Sequence, residues 1–203
     1  MFTGLVRDLG TITKLEDRNG VRRLTVRGQI DQNDLSLGAS VAHSGVCLTV
    51  VSADFSDEKP EWVVEAVPET LSLTTLGDKA EGDRINLEPS LRLGDELGGH
   101  LVFGHVDGIG KIEKITPEGD SRRVTISAPD DLMPLIAYKG SITIDGISLT
   151  IAGVGDANTF EIAVIPHTWD VTSLGQSAPG DQVNLEVDML ARYVARRMEF
   201  SNK

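Results

Sequence analysis

Two short motifs place a thiol or hydroxyl two residues before a threonine. Residues 45–50 read Gly-Val-Cys-Leu-Thr-Val, and residues 146–151 read Gly-Ile-Ser-Leu-Thr-Ile. Side chains two apart lie on one face of a strand, so Cys47 would share a face with Thr49, and Ser148 with Thr150. Such groups can bind the polar edge of a ligand, and Ser or Cys can also act as a nucleophile. For either motif alone, a structural role facing the core, with the hydroxyls bonded to backbone, is the simpler interpretation.

No metal or phosphate site is indicated by the sequence. The four histidines, His43, His100, His105 and His167, lack the paired Cys or carboxylate spacing that is typical of zinc ligands. No Gly-rich loop stands between a strand and a helix, as a phosphate-binding loop requires. We therefore expect neither a metal nor an added cofactor.

Composition narrows the class of protein further. The formal net charge of −12 over 203 residues argues against a nucleic-acid partner, whose affinity depends on Lys and Arg. The single cysteine, Cys47, excludes an intrachain disulfide. No stretch approaches the roughly 18 apolar residues of a membrane span, and no signal peptide is visible. We expect a cytoplasmic protein without membrane contact.

The chain repeats itself, which indicates two related domains. Five blocks recur in order at offsets of 98 to 101 residues: 1–6 with 101–106, 40–50 with 141–151, 68–70 with 166–168, 74–77 with 172–175, and 82–88 with 180–186. Each copy is about 95 residues, a usual size for a domain. We predict a first domain over 1–97, a second over 98–188 and a tail over 189–203.

Short β-branched runs such as 23–26, 62–67 and 160–165 predict strands, and their close spacing favours a small closed barrel in each copy. Residues 71–76 and 169–174 are predicted to form one helical turn each. The tail is the one predicted longer helix, with Asp188 as its N-cap. Two roles for this amphipathic helix are equally compatible with its pattern: packing against another subunit, or covering an open barrel end.

Combined, five motifs resemble the riboflavin synthase family. They are Met-Phe-Thr-Gly at 1–4, Ser-Gly-Val-Cys-Leu-Thr-Val at 44–50, Leu-Gly-Gly-His-Leu-Val-Phe-Gly-His-Val-Asp-Gly at 97–108, Lys-Gly-Ser-Ile-Thr-Ile-Asp-Gly-Ile-Ser-Leu-Thr-Ile at 139–151, and Ile-Pro-His-Thr at 165–168. The resemblance implies an all-β fold of two six-stranded antiparallel Greek-key barrels with a C-terminal helix, assembled as a homotrimer. It implies a reaction in which two 6,7-dimethyl-8-ribityllumazine molecules exchange a four-carbon unit. The products are riboflavin and 5-amino-6-(D-ribitylamino)uracil.

The resemblance also implies one pocket per barrel, with the substrate pair held between subunits. The first pocket would consist of Gly4, Leu5, Val6, Cys47, Leu48, Thr49, Glu65, Ala66, Val67, Pro68, Glu69 and Thr70. The second would consist of Gly104, His105, Val106, Lys139, Ser148, Leu149, Thr150, Ala163, Val164, Ile165, Pro166, His167 and Thr168. Their hydroxyl and main-chain groups suit the polar ring edge and the ribityl chain.

Differences between the copies indicate unequal roles for the pockets. His105 aligns with Leu5, Ser148 with Cys47, Lys139 with Gly38, and Asp188 with Ser90. We hypothesise that His105 and Ser148, with Asp188 nearby, manage proton transfer and nucleophilic addition in the second pocket. Cys47 would contact the substrate in the first. Without the resemblance, an ordinary role is the simpler interpretation for each: a bonded strand histidine, a buried thiol, a solvated lysine and a helix cap.

Four positions depart from the family's usual pattern: Ser44 in place of Asn, Phe103 in place of Gln or Ser, and Trp169-Asp170 in place of Glu-Arg. These differences bear on the shape of the pockets.

A non-catalytic lumazine or flavin binder of the same fold is the nearest alternative function. The flavin barrel of a reductase is a more distant one, and it would require a nicotinamide-binding domain that the sequence lacks.

Overall fold

In a computed structural model of the chain, residues 1–201 are described; 202 and 203 of the predicted tail lie outside the described residues. The first six strands are β1 (Asp8–Arg18), β2 (Val21–Arg27), β3 (Ser40–His43), β4 (Val46–Asp54), β5 (Glu61–Ala66) and β6 (Arg84–Pro89). The next six are β7 (Gly108–Glu118), β8 (Ser121–Ser127), β9 (Ser141–Ile144), β10 (Ile147–Val154), β11 (Thr159–Val164) and β12 (Gln182–Val187). The α-helices are α1 (Pro68–Leu73), α2 (Pro166–Val171) and α3 (Met189–Ser201).

Each set of six strands closes into an antiparallel barrel. The cyclic order is β1-β2-β5-β4-β3-β6 in the first barrel and, equivalently, β7-β8-β11-β10-β9-β12 in the second. Even the irregularities repeat, since the β1–β2 register shifts between Ile12 and Lys14 and the β7–β8 register between Ile112 and Lys114. The predicted tandem of six-stranded barrels followed by a helix is therefore confirmed.

The barrel interiors are filled by alternate strand residues, with one aromatic side chain fully buried in each: Trp62 in the first and Phe160 in the second. Trp62 Nε1 donates to buried His43 Nε2 at 3.0 Å, which satisfies the indole N–H inside the barrel. Burial lowers the pKa of His43 to about 4, so this histidine is neutral at pH 7. His43 is thus a core residue. Its counterpart in the second barrel, Ile144, packs among apolar core residues.

The opening segments of the two copies cross over, so that each lies on the other barrel. Phe2 and Val102 form an antiparallel bridge through bonds of 2.7 and 3.1 Å. Val6 then packs against the core of the second barrel, and Val106 against the core of the first. The two barrels are therefore joined by an exchange of main chain.

A second connection is made by paired asparagines on β6 and β12. Asn86 Nδ2 donates to Asp145 O and to Ser173 Oγ, each at 2.8 Å, and its Oδ1 accepts from Ser173 N. In the mirrored arrangement Asn184 Nδ2 donates to Ser44 O, and its Oδ1 accepts from Thr75 N. Buried side-chain amides thus fix the relative orientation of the barrels.

We expect replacement of Asn184 by alanine to lower the free energy of unfolding by about 2–4 kcal/mol, because buried Thr75 N–H and Ser44 C=O would lose their partner. Urea unfolding followed by tryptophan fluorescence measures this loss. Asn33→Ala, on an exposed turn, is the matched control. A loss no greater than that of the control would show that the amide does not hold the barrels together.

The short helices differ in two respects from the prediction over 71–76 and 169–174. Both begin at the proline itself, Pro68 or Pro166, and a separate 3-10 turn follows. The reason is that proline at the first helical position has a suitable φ and loses no hydrogen bond. The Pro-X-Thr corner is therefore part of the helix.

The tail helix α3 is capped as predicted, since Leu190 N donates to Asp188 Oδ1 at 2.9 Å. Its large apolar residues remain between 57% and 70% exposed: Leu190, Tyr193, Val194, Met198 and Phe200. These side chains are therefore not covered by either barrel of this chain. None of the helices in the described part of the chain is long and apolar enough to cross a membrane.

Candidate active site

Ser148, at the start of β10, forms a hydrogen bond with His100. The distance from Ser148 Oγ to His100 Nδ1 is 2.7 Å, and His100 Nε2 lies 3.3 Å from the hydroxyl of buried Thr143. With the ring proton on Nε2, the histidine donates to Thr143 Oγ1 and accepts from Ser148. This is the geometry of a nucleophile or proton donor paired with a general base.

The environment of His100 disfavours the charged form of the ring. Burial lowers its pKa below the usual value for histidine, and the nearby charge of Asp188 opposes this shift. A neutral imidazole can accept a proton, and the same carboxylate would then stabilise the imidazolium that forms. Asp188 therefore caps α3 and also acts electrostatically on His100.

The sequence analysis places Ser148 and His105 together in the second pocket, whereas the hydroxyl of Ser148 bonds to His100. His105 belongs to the crossed-over segment 101–106 and lies beside the first barrel, its ring centroid 5.9 Å from that of Phe103. His100 was missed because it precedes the first aligned block. Its position in the Gly-Gly-His run at 98–100 was the available signal.

Cys47 occupies the equivalent position on β4 in different surroundings. Its N–H donates to Gly104 O at 3.0 Å, and its half-buried side chain packs against an apolar cluster of Phe2, Ala42 and Val102. Cys47 and Ser148 thus make equivalent main-chain hydrogen bonds, but the thiol lies against apolar side chains whereas the hydroxyl bonds to a histidine.

The crossover also corrects the composition of both pockets. Gly4 O accepts from Ser148 N at 2.8 Å, and Thr3 O accepts from His100 N at 3.1 Å, so residues 4–6 lie with the Ser148 pocket. Residues 104–106 lie with the Cys47 pocket for the same reason. The two copies have the same sequence pattern. Each opening segment would therefore fit either barrel equally well by sequence, and comparison of the copies could not reveal the crossover.

The Cys–Thr and Ser–Thr pairs face outward, which excludes the interpretation in which they face the core. Cys47 and Ser148 are half-buried and Thr49 and Thr150 are exposed. Other predicted pocket residues of the two barrels are also exposed: Leu5, Glu65, Val67, Pro68, Glu69, His105, Lys139, Ala163, Ile165, Pro166 and His167. Partly buried among them are Val6, Thr70, Val106, Leu149 and Thr168.

Leu48, Ala66 and Val164 point into the barrel cores, so only their main chain is open to a ligand. The remaining surface is open, and Leu5, Val67 and Ile165 are large apolar residues exposed by 39% to 60%. Exposed apolar surface of this kind is typical of a site that binds a ligand or another chain.

Lys139 lies in a turn where its counterpart is glycine. Its φ is +65°, that of Gly38 is +86°, and both donate their N–H to the equivalent strand, at Ile151 O and Val50 O. A lysine in this left-handed conformation is strained relative to glycine. A residue that is unfavourable for the backbone is a reasonable candidate for a functional side chain.

The departures from the family pattern are accommodated. Ser44 takes a φ of +45° before Gly45, and its Oγ accepts from Asn86 N at 3.2 Å, so it serves the tight turn. Trp169 is partly buried against the second core, beneath the guanidinium of Arg122.

Comparisons with known proteins agree on the relationship of this chain. The model of the lumazine binding domain family matches twice, at residues 3–90 and 103–188. A riboflavin synthase of Brucella abortus is 47% identical over 201 residues, covering 98% of this chain and 99% of that protein. The riboflavin synthase of Bacillus subtilis is 36% identical, covering 100% of this chain and 92% of that protein.

Solved structures are similar over the same length. LumP complexed with riboflavin has a TM-score of 0.81 at 26% identity, covering 93% of this chain and 100% of LumP. LumP complexed with 6,7-dimethyl-8-(1'-D-ribityl) lumazine has a TM-score of 0.77 at the same identity, covering 93% and 99%.

Proposed function

The chain belongs to the riboflavin synthase family, and we propose that each of its two barrels holds one 6,7-dimethyl-8-ribityllumazine molecule. Riboflavin synthase is a transferase that carries out the final step of riboflavin biosynthesis. A four-carbon unit passes from one lumazine to the other, which yields riboflavin and 5-amino-6-(D-ribitylamino)uracil without an added cofactor. Holding two reactants in register can itself supply about 7–11 kcal/mol.

The observation that carries the detailed mechanism is the hydrogen bond between Ser148 and His100. In the Ser148 pocket, the serine oxygen takes a proton from the acidic C7 methyl of the bound lumazine while its own proton passes to His100. The electron pair left on carbon is delocalised into the ring, and Asp188 stabilises the imidazolium. In the Cys47 pocket, Cys47 and His105 contact the other lumazine, whose ring is attacked.

We further propose that the two pockets meet between subunits of a homotrimer. Both are open surfaces with exposed apolar residues, and α3 presents a row of exposed apolar side chains. Facing pockets on neighbouring chains would enclose both substrates and exclude water. Sedimentation velocity tests the assembly, and specific activity that falls on dilution in step with the trimer would support it. A fully active monomer would contradict it. A cytoplasmic location stays a prediction.

The alternative is a protein that binds lumazine or flavin without turnover. The similarity to LumP, which was solved with the lumazine bound, is the observation that favours it. Relatives at 36–47% identity over nearly the whole chain favour the enzyme, as does the paired Ser148–His100. Incubation with the lumazine alone separates the two. One riboflavin per two lumazines consumed supports the enzyme, whereas binding without riboflavin formation supports the alternative.

Lys139→Gly is expected to raise KM about tenfold, because the Lys139 ammonium would no longer contact the substrate, a loss worth about 1.4 kcal/mol. It should leave the free energy of unfolding within about 1 kcal/mol of wild type, since relief of backbone strain offsets the added freedom of the unfolded chain. Steady-state kinetics and urea unfolding measure both. The reciprocal Gly38→Lys, at φ +86°, is expected to lower stability only. An unchanged KM would remove Lys139 from the pocket.

A further inference from the structure

Glu88 lies at the end of β6 and is only 5% exposed. Its Oε1 accepts from the N–H and the hydroxyl of Thr3, both at 2.7 Å, and its Oε2 accepts from Gly4 N at 3.0 Å. One buried carboxylate of the first barrel therefore holds the segment that continues to Leu5.

Glu186 does the same from the second barrel and is 4% exposed. Its Oε1 accepts from Phe103 N at 2.8 Å, and its Oε2 accepts from Gly104 N at 2.9 Å and His105 N at 3.1 Å. Both glutamates fall at the same place in the repeated block that ends each barrel. The contact between a buried glutamate and an opening segment is therefore repeated in both copies.

These contacts connect the two barrels in a crossed manner. Glu88 of the first barrel holds Gly4, which lies on Ser148 of the second; Glu186 of the second barrel holds Gly104, which lies on Cys47 of the first. We infer that Glu88 and Glu186 are positioning residues, each of which sets, from one barrel, the main chain that completes the pocket of the other. This inference rests on the proposed function, in which both pockets hold substrate.

The chemistry requires carboxylates at these positions. A carboxylate can accept three donors and offers none, whereas glutamine would point an NH₂ group at one of the backbone N–H groups. Burial raises the pKa of both side chains, and the N–H donors act against that shift. Replacement by glutamine keeps the volume, removes the charge and turns one of the two acceptor oxygens into a donor.

The test compares Glu88→Gln and Glu186→Gln with Glu16→Gln, an exposed β1 carboxylate paired with Lys14. We expect kcat/KM for the lumazine to fall about 10- to 100-fold in the first two and to stay at wild type in the third. Cys47 is the single cysteine, so its alkylation rate with iodoacetamide reports on one pocket alone. That rate should rise several-fold in Glu186→Gln, which releases Gly104 from Cys47, and should stay unchanged in Glu88→Gln.

Two results would overturn the inference: kcat/KM within twofold of wild type in either glutamine variant, or the same rise in Cys47 alkylation in both, which would mean general loosening. If a glutamine variant does not fold, Glu88→Asp and Glu186→Asp replace it, and they should show the same selectivity with a smaller loss. Wild type serves as the separate check on function. If wild type forms no riboflavin, the proposed reaction fails, whatever the variants do.

Discussion

Replacing Ser148 with alanine is expected to lower kcat about 10²- to 10⁴-fold, the range typical for loss of a positioned proton-transfer group. The hydroxyl lies 2.7 Å from Nδ1 of the half-buried His100, so its removal leaves the base without the group through which it would take a proton from the substrate. The fold should persist, because the Ser148 N–H that bonds to Gly4 O remains. Riboflavin formation under saturating lumazine measures kcat.

A second measurement places the loss at the proton step. Exchange of the C7 methyl protons with D₂O, followed by NMR on the bound lumazine, should slow in Ser148→Ala in parallel with kcat. His100→Ala should cost a similar factor, and the double variant little more, because residues that act as a unit give non-additive losses.

Ser121→Ala, which removes a hydroxyl at the β7–β8 turn, is the control and should behave as wild type. If Ser148→Ala retains full turnover, the pair has no part in the reaction. If instead the single losses multiply in the double variant, Ser148 and His100 act separately.

Much of the fold was predictable because it depends on local sequence patterns that occur in both copies. Strand runs such as 62–67 alternate buried and exposed residues, and the observed β5 ends within one residue of that range. Lys139 aligned correctly with Gly38, and both have a positive φ. Agreement between two copies removes most of the ambiguity of a single short apolar run.

The pocket composition was not predictable in the same way. Whether residues 1–6 lie on their own barrel or on the other depends on contacts such as Gly4 O with Ser148 N, between residues far apart in the chain. Both alternatives bury the same apolar residues and preserve the same strand periodicity. His100 was obscured for a related reason, since its partners Ser148 and Thr143 come from β10 and β9. Tertiary hydrogen bonds, which have no period in sequence, decide such points.

Gly104→Ala is expected to destabilise the protein by about 2–4 kcal/mol and to lower turnover at least 100-fold. A Cβ at this position would lie 2.5 Å from Cys47 Cβ and 2.8 Å from Cys47 N, so segment 101–106 would have to move off the first barrel. That movement breaks the bond between Cys47 N and Gly104 O and displaces His105. Gly4→Ala should have the same effect at Ser148, where the equivalent distances are also 2.5 and 2.8 Å.

Gly82→Ala is the matched control for this prediction. Gly82 also has a positive φ, +94°, yet nothing lies within 4 Å of its added Cβ, so the substitution imposes backbone strain without a steric clash. Urea unfolding should therefore show a loss of about 1 kcal/mol for Gly82→Ala. The excess loss in Gly104→Ala and Gly4→Ala measures the close approach of the crossed segments to the opposite barrels. Equal losses in all three would mean that the segments can shift without consequence, and the crossover would then have no role in forming the pockets.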